Sequence, residues 1–246
     1  MVSIPTIEEE DARRPNRERQ NLVTEQTRIV NQIKAIFTRF GIRTFRPTLR
    51  KAEEKLKSLR TAEGILLPDN TRAELCRHLA RLRVVREQIR AVEQERLRKL
   101  AAVPAAENGP HAMVRLIAQV LGVGIETADM LVNEVLSRRW RDRKAIARYA
   151  GLTGSPDESG KRRRERGLAR AGNARVRCGM IQFAWRFLRF QKDSALAQWF
   201  PARTTDRRAS TRKTMIVALA RKLLIALWGL ASTGEVPQGV ILRPAS

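Results

Sequence analysis

Apolar residues recur at helical spacing through most of the chain. Leu22, Ile29, Ile33 and Ile36 alternate with charged neighbours and predict a helix over Asn16 to Phe40, stopped by Gly41. Arg43 to Glu63 reads as a basic connector with a short helical piece around Ala52 to Leu59. Pro68-Asp69-Asn70-Thr71 is a helix-start signal, with Asn70 or Thr71 as cap and Glu74 in the first turn. Leu75, Leu79, Leu82, Val85, Ile89, Val92, Leu97 and Leu100 then form one apolar stripe, with charge on the other face. That is a long amphipathic helix, half of an antiparallel hairpin or coiled coil.

After Asn108-Gly109-Pro110 the pattern changes. A helix ending near Leu121 meets Gly122-Val123-Gly124, and a second helix follows. Asp142 to Tyr149 is a short helix ending at Ala150-Gly151. Val176, Met180, Phe183, Ala184, Phe187 and Phe190 share one helical face, interleaved with Arg175, Arg177, Arg186 and Arg189. Thr211 to Leu230 is the last helix, with Ile216, Leu219, Ala220, Leu223 and Leu227 inward. No run reads as a convincing strand, so the predicted fold is mostly α: a helical coiled-coil module, then a helical domain with a helix-hairpin-helix element and a long basic loop. The expected organisation is a flexible lead-in (1–15), the coiled-coil module (16–107), the second domain (111–231) and a loose tail (232–246).

Charge narrows the partners. The chain has 49 Lys+Arg against 25 Asp+Glu, a formal net charge of +24. Such an excess favours a polyanion, because each neutralised phosphate releases counterions. Aromatic residues make up 5% with a single Tyr, which argues against a base-stacking platform. No apolar run reaches the roughly 17 to 25 residues that span a bilayer, since Met215 to Leu230 is interrupted by Arg221 and Lys222. No membrane partner is expected. Without a basic-then-apolar signal at the N-terminus, the expected location is the cytoplasm. Cys76, Cys178, His78 and His111 have no metal-ligand spacing, so no metal site is assigned, and the cysteines read as buried thiols.

Candidate chemistry concentrates between Gly151 and Asn173. There Ser159 stands in a glycine-flanked segment just before Lys161, Arg162, Arg163, Arg164 and Arg166, with Arg170 beyond. A hydroxyl is a weak nucleophile and a phosphodiester repels negative charge. Guanidinium groups beside the hydroxyl would stabilise the charge that builds on the phosphate oxygens. From the residues alone Ser159 could equally be a turn serine, Ser155 competes for the role, and the arginines could be a solvated loop that holds any polyanion. The Gly122-Val123-Gly124 turn, with Thr127 in the helix behind it, suits a hairpin whose backbone amides grip a phosphate without reading sequence. Plain helix-turn-helix packing is the alternative.

Five stretches carry a family resemblance: Leu121-Gly-Val-Gly-Ile-Glu-Thr-Ala128, Ile146-Ala-Arg-Tyr-Ala-Gly-Leu-Thr153, Glu158-Ser159-Gly160 with its basic run, Ala171-Gly172-Asn173-Ala-Arg175, and Ala220-Arg-Lys-Leu-Leu224. Their order over Leu116 to Gly229 resembles the C-terminal part of DEDD-class insertion-sequence transposases of the 110/116/902 type. The larger members of that class are guided by a structured bridge RNA. Arg17 to Asn31 also resembles the helix that follows the family's first domain. The resemblance implies that Ser159 attacks a DNA phosphodiester and is transiently esterified. The expected DNA contacts are Gly122, Gly124, Thr127, Lys161, Arg162, Arg163, Arg164, Arg166, Arg170, Asn173 and Arg175. Family members begin with a RuvC-like nuclease domain whose four acidic residues hold divalent metal. That domain is absent from this sequence, so no cofactor is expected in this chain and divalent metal only in the missing domain. Glu8, Glu9, Glu10 and Asp11 read as solvated charge.

The resulting expectation is DNA transposition by strand cleavage and rejoining through a serine, in a shortened family member. DNA is the partner, with a structured guide RNA and self-association through the 70–100 helix as further expectations. The alternative is a non-catalytic DNA- or RNA-binding remnant that regulates a full-length transposase.

Overall fold

The computed structural model describes residues 4–104, 107–159, 162–168, 171–206 and 208–244, with only the main chain described for 155–159 and 162–167. Its contacts divide the chain into two units, Glu10–Ala102 and Val103–Ser246, the second grouped with the residues ahead of Glu10.

Helix α1 spans Ile7–Arg39. The expected flexible lead-in is therefore helical from Ile7 onward. The cause is a capping box: the Glu9 amide donates to Thr6 Oγ1 (3.2 Å) and the Thr6 amide donates to Glu9 Oε2 (3.3 Å). In Glu10–Ala102, α1 runs against α3 (Asp69–Ala102), with α2 (Ala52–Lys57) beside α3. Arg19 meets Glu93 at 2.6 Å, and Arg96 Nη2 donates to Asn16 Oδ1 at 3.0 Å. These pairings run in opposite senses along the chain, so the helices are antiparallel. Ile29, Ile33 and Phe37 share a buried cluster with Leu75, Leu79, Leu82, Val85 and Ile89. Leu97, the outlier of the predicted stripe, is 49% exposed.

The second unit is built on α9 (Ala209–Thr233), which contacts α4 (Pro110–Gln119), α6 (Arg143–Tyr149), α7 (Ala174–Phe190) and α8 (Ala195–Ala202). By length and composition α9 could cross a membrane. Here its apolar positions form a protein core: Ile216, Leu219, Leu223, Leu227 and Leu230 are buried with Met180, Phe183 and Phe187. Helix α5 (Ile125–Leu131) runs on into a π-helical turn, Val132–Leu136. The described chain is thus mostly helical.

Three further features differ from expectation. The segment read as a long basic loop contains an antiparallel ribbon, β1 (Gly154–Ser159) with β2 (Arg162–Leu168). The tail is tied down: Leu242 bridges Val120, and Gln191 Nε2 donates to the carbonyls of Leu121 and Ile241, both at 2.9 Å. Cys76 and Cys178 are exposed free thiols.

Candidate nucleic-acid interface

The ribbon projects from a fixed root. Gly151 and Gly172 both adopt left-handed backbone, with φ of 64° and 91°. A β-carbon on Gly172 would stand 2.6 Å from the Tyr149 carbonyl oxygen and 2.7 Å from the Gly151 nitrogen, so only glycine fits there. The Asn173 amide donates to the Tyr149 carbonyl at 2.6 Å, joining the end of α6 to the start of α7. Asn173 Oδ1 accepts from the amides of Arg175 (3.0 Å) and Val176 (3.2 Å), the geometry of a helix N-cap. Its Nδ2 donates to Glu134 Oε2 at 2.8 Å. The root is therefore set by α6, α7 and the π-helical turn together.

Beyond a bulge between Gly154 and Ser155 the strands pair in register. Ser159 lies opposite Arg162, Glu158 opposite Arg163, Asp157 opposite Arg164 and Ser155 opposite Arg166. Alternation along an antiparallel pair puts Ser155, Asp157 and Ser159 on the same face as Arg162, Arg164 and Arg166. Arg163 falls on the other face. Lys161 and Arg170 lie outside the described residues. Ser159 thus stands at the far end of the ribbon, paired with the first arginine of the basic run.

Gly122 and Gly124 belong to the turn between α4 and α5. Gly122 has φ of 98°, and a β-carbon there would press on Phe190 at 3.3 Å. Gly124 begins α5, its carbonyl accepting from the amides of Thr127 and Ala128, both at 2.9 Å, and its Cα faces open space. Arg186 Nη2 donates to Thr127 Oγ1 at 2.9 Å, which ties α5 to α7. Arg243 braces the turn from behind, donating to the carbonyls of Ala118 (2.9 Å) and Val123 (3.1 Å). Arg175 is half-buried at the start of α7, and its Nε has no partner among the described residues.

Sequence reasoning missed the support beneath the ribbon. Glu134 is 1% exposed, a carboxylate within the apolar run Met130-Leu-Val-Asn-Glu-Val-Leu136. An acid inside such a run is the signal that could have found it, because a buried charge needs a partner. Tyr149 carries Arg138 over its ring at 4.9 Å and packs on Trp140 at 4.9 Å. Along α9, Lys213, Arg221 and Lys222 line a hollow that reaches Gly154 and Leu168.

Metal ligation finds no support among the described residues, where no three His, Cys, Asp or Glu side chains gather. Glu10 is engaged by Arg13 at 3.2 Å and by Arg17. These groups do not fit a two-metal centre.

Residues 114–199 match the family described as Transposase IS116/IS110/IS902. The matched region runs from α4 into α8 and includes the glycine turn, the ribbon and α7. Over 250 residues the chain is 42% identical to a Sinorhizobium fredii (strain NBRC 101917 / NGR234) protein named as transposase y4rJ, covering 99% of this chain and 63% of that one. It is 24% identical over 234 residues to a Pseudomonas aeruginosa PAO1 protein named as a family 20 transposase, covering 94% and 66% respectively. The chain therefore spans a little under two thirds of the length of these relatives. The transposase match and the structural site coincide: the residues singled out from the sequence, Gly122 to Arg175, all lie inside the matched region.

Proposed function

We propose that this protein acts in DNA transposition, binding DNA through the α4–α5 turn and the ribbon and cutting and rejoining a strand through Ser159. The observation that carries this reading is the ribbon register, which sets Ser159 opposite Arg162 at the end of an arginine-bearing strand within the transposase-like region. In the reaction, Ser159 Oγ loses its proton as it bonds to phosphorus. The bond from phosphorus to one strand oxygen breaks, and that oxygen leaves as a hydroxyl. A second strand's hydroxyl then displaces Ser159, so the phosphodiester is conserved. The role of the arginines is to hold the negative charge that gathers on the phosphate oxygens in the transition state.

The decisive experiment is a denaturing gel of protein incubated with nicked DNA. The chain forms a covalent adduct, Ser155→Ala retains it and Ser159→Ala loses it. An adduct that persists in Ser159→Ala removes the serine from the mechanism. DNA binding with no adduct from any variant leaves a binding protein rather than a recombinase.

The reading extends to a structured guide RNA and to self-association through α3. Support for the second comes from Val84 and Leu97, which are 50% and 49% exposed on that helix. Light scattering at micromolar concentration tests it, and a monomeric mass would remove self-association.

A further inference from the structure

A hollow of about 890 Å³ lies between the ribbon root and α9. Lys213, Arg221 and Lys222 line it together with Val217 and Ile225 of α9 and with Gly154 and Leu168 of the ribbon root. No carboxylate is among the described lining residues, and none of the three cations has an ion pair among the described residues. Lys222 is stationed over the Trp199 ring at 5.0 Å. Lys213 and Arg221 line the open groove, and Lys222 lines it while resting on that ring.

We propose that this groove holds the DNA strand that runs on from Ser159. Lys213, Arg221 and Lys222 hold its phosphates, and the aliphatic lining residues Val217 and Ile225 meet its sugars. The inference rests on the reading that Ser159 acts on DNA. Two observations argue for the occupant. The first is charge: three cations and no described acid suit a polyanion. The second is continuity: the groove begins at Gly154 and Leu168, the pair at the root of the ribbon whose other end carries Ser159. Five strand steps at about 3.3 Å put the groove roughly 17 Å from Ser159. At the roughly 3.4 Å axial rise of one strand within a duplex that is about five phosphates, and an extended single strand covers it with fewer. A strand of that length links the two without any rearrangement of the fold.

The test is the salt dependence of binding to single-stranded thymidine oligonucleotides of about four to twelve residues, using the whole chain. Each phosphate contact on a single strand contributes about 0.7 to the slope of log affinity against log salt. The double variant Lys213→Gln/Arg221→Gln should therefore lower the slope by about 1.4 on the longer oligonucleotides. It should also abolish the gain in affinity that appears once the oligonucleotide is long enough to reach from Ser159 to the groove. Lys99→Gln, an exposed control in the other unit, should change neither by more than a general charge effect. An unchanged slope overturns the proposal, as does a loss equal at every length or matched by the control. A loss seen with uridine oligoribonucleotides but not with thymidine ones overturns the assignment to DNA. The covalent adduct separates the two levels: an adduct with an unaltered slope removes the groove alone, and the length-dependent slope loss without any adduct removes Ser159 chemistry while the groove stands.

Discussion

Asn173 Nδ2 donates to the buried carboxylate of Glu134 at 2.8 Å, across 39 residues of sequence. The same side chain caps α7 with its oxygen, so one residue joins the π-helical turn, the start of α7 and the ribbon root. Replacing it with alanine removes a cap, worth about 1 kcal/mol, and takes a donor from a buried acid, worth a further 1–3 kcal/mol or so. Asn173→Ala should lower unfolding stability by about 2–4 kcal/mol in a urea titration. Asn173→Asp keeps the cap but sets a second carboxylate against Glu134, and should be no better at neutral pH. If Asn173 served only as a DNA contact, both variants would unfold like the parent chain.

The two glycines of the α4–α5 turn should separate, because their surroundings differ. Gly122→Ala must hold a left-handed residue and push Phe190, and should cost about 1–3 kcal/mol. Gly124→Ala has extended backbone and open space around its Cα, and should change stability by less than about 1 kcal/mol. If a phosphate approaches the backbone at this turn, Gly124→Ala still weakens DNA binding several-fold. Stability and affinity measured on the same pair of variants check both statements, and unchanged affinity in Gly124→Ala would remove this turn from the interface.

Much of the helical scaffold is legible in the sequence because its helices bury one face each. Val176, Met180, Phe183 and Phe187 on α7 and Ile216, Leu219, Leu223 and Leu227 on α9 recur at helical spacing, and all are buried. Phe190 shares the period but is 44% exposed, because α7 ends there and only part of its ring is covered by Gly122. The ribbon was not legible because Gly-Ser-Pro-Asp-Glu-Ser and Arg-Arg-Arg-Glu-Arg-Gly-Leu have no apolar alternation. Its pairing is carried by the ladder, and the cue lay in charge order: Asp157 and Glu158 before Gly160-Lys161, Arg163 and Arg164 after it, in matching register. The early start of α1 was hidden for a similar reason. Glu9 read as one acid among several, whereas its spacing from Thr6 is that of a capping box. Glu134 and the α9 groove were missed because each depends on residues brought together by the fold.

Asp142 makes the stability of α6 pH-dependent. The Ala145 amide donates to Asp142 Oδ1 at 2.7 Å, and this hydrogen bond holds the Asp142 carboxyl below the ordinary aspartate value, with Arg141 adding to the effect. A depressed folded-state pKa gives stability that is present above the unfolded value of about 3.9 and lost as pH falls through the folded value. Part of the acid destabilisation of the second unit should therefore lie below about pH 4 and vanish in Asp142→Asn, which keeps an acceptor but cannot titrate. Thermal melts from pH 6 down to pH 2 measure it. Parallel curves for the two proteins would show that the cap contributes nothing to the acid limb.

Arg243 offers a way to loosen the glycine turn without touching it. Its guanidinium donates to the carbonyls of Ala118 and Val123, and its amide donates to the Gln119 carbonyl at 2.7 Å. These carbonyls flank the end of α4, where the helix leaves acceptors unsatisfied. Arg243→Ala removes the two side-chain bonds and keeps the amide bond, so a loss of about 1–3 kcal/mol is expected. The loss should be local: amide exchange should quicken over Val120 to Thr127 and stay unchanged in Glu10–Ala102, the separate unit. DNA affinity should fall with it if the turn must be preformed to meet a phosphate, because ordering the turn would then draw on the binding energy. Faster exchange with unaltered affinity would mean that the tail stabilises the turn and that DNA does not need the turn held still.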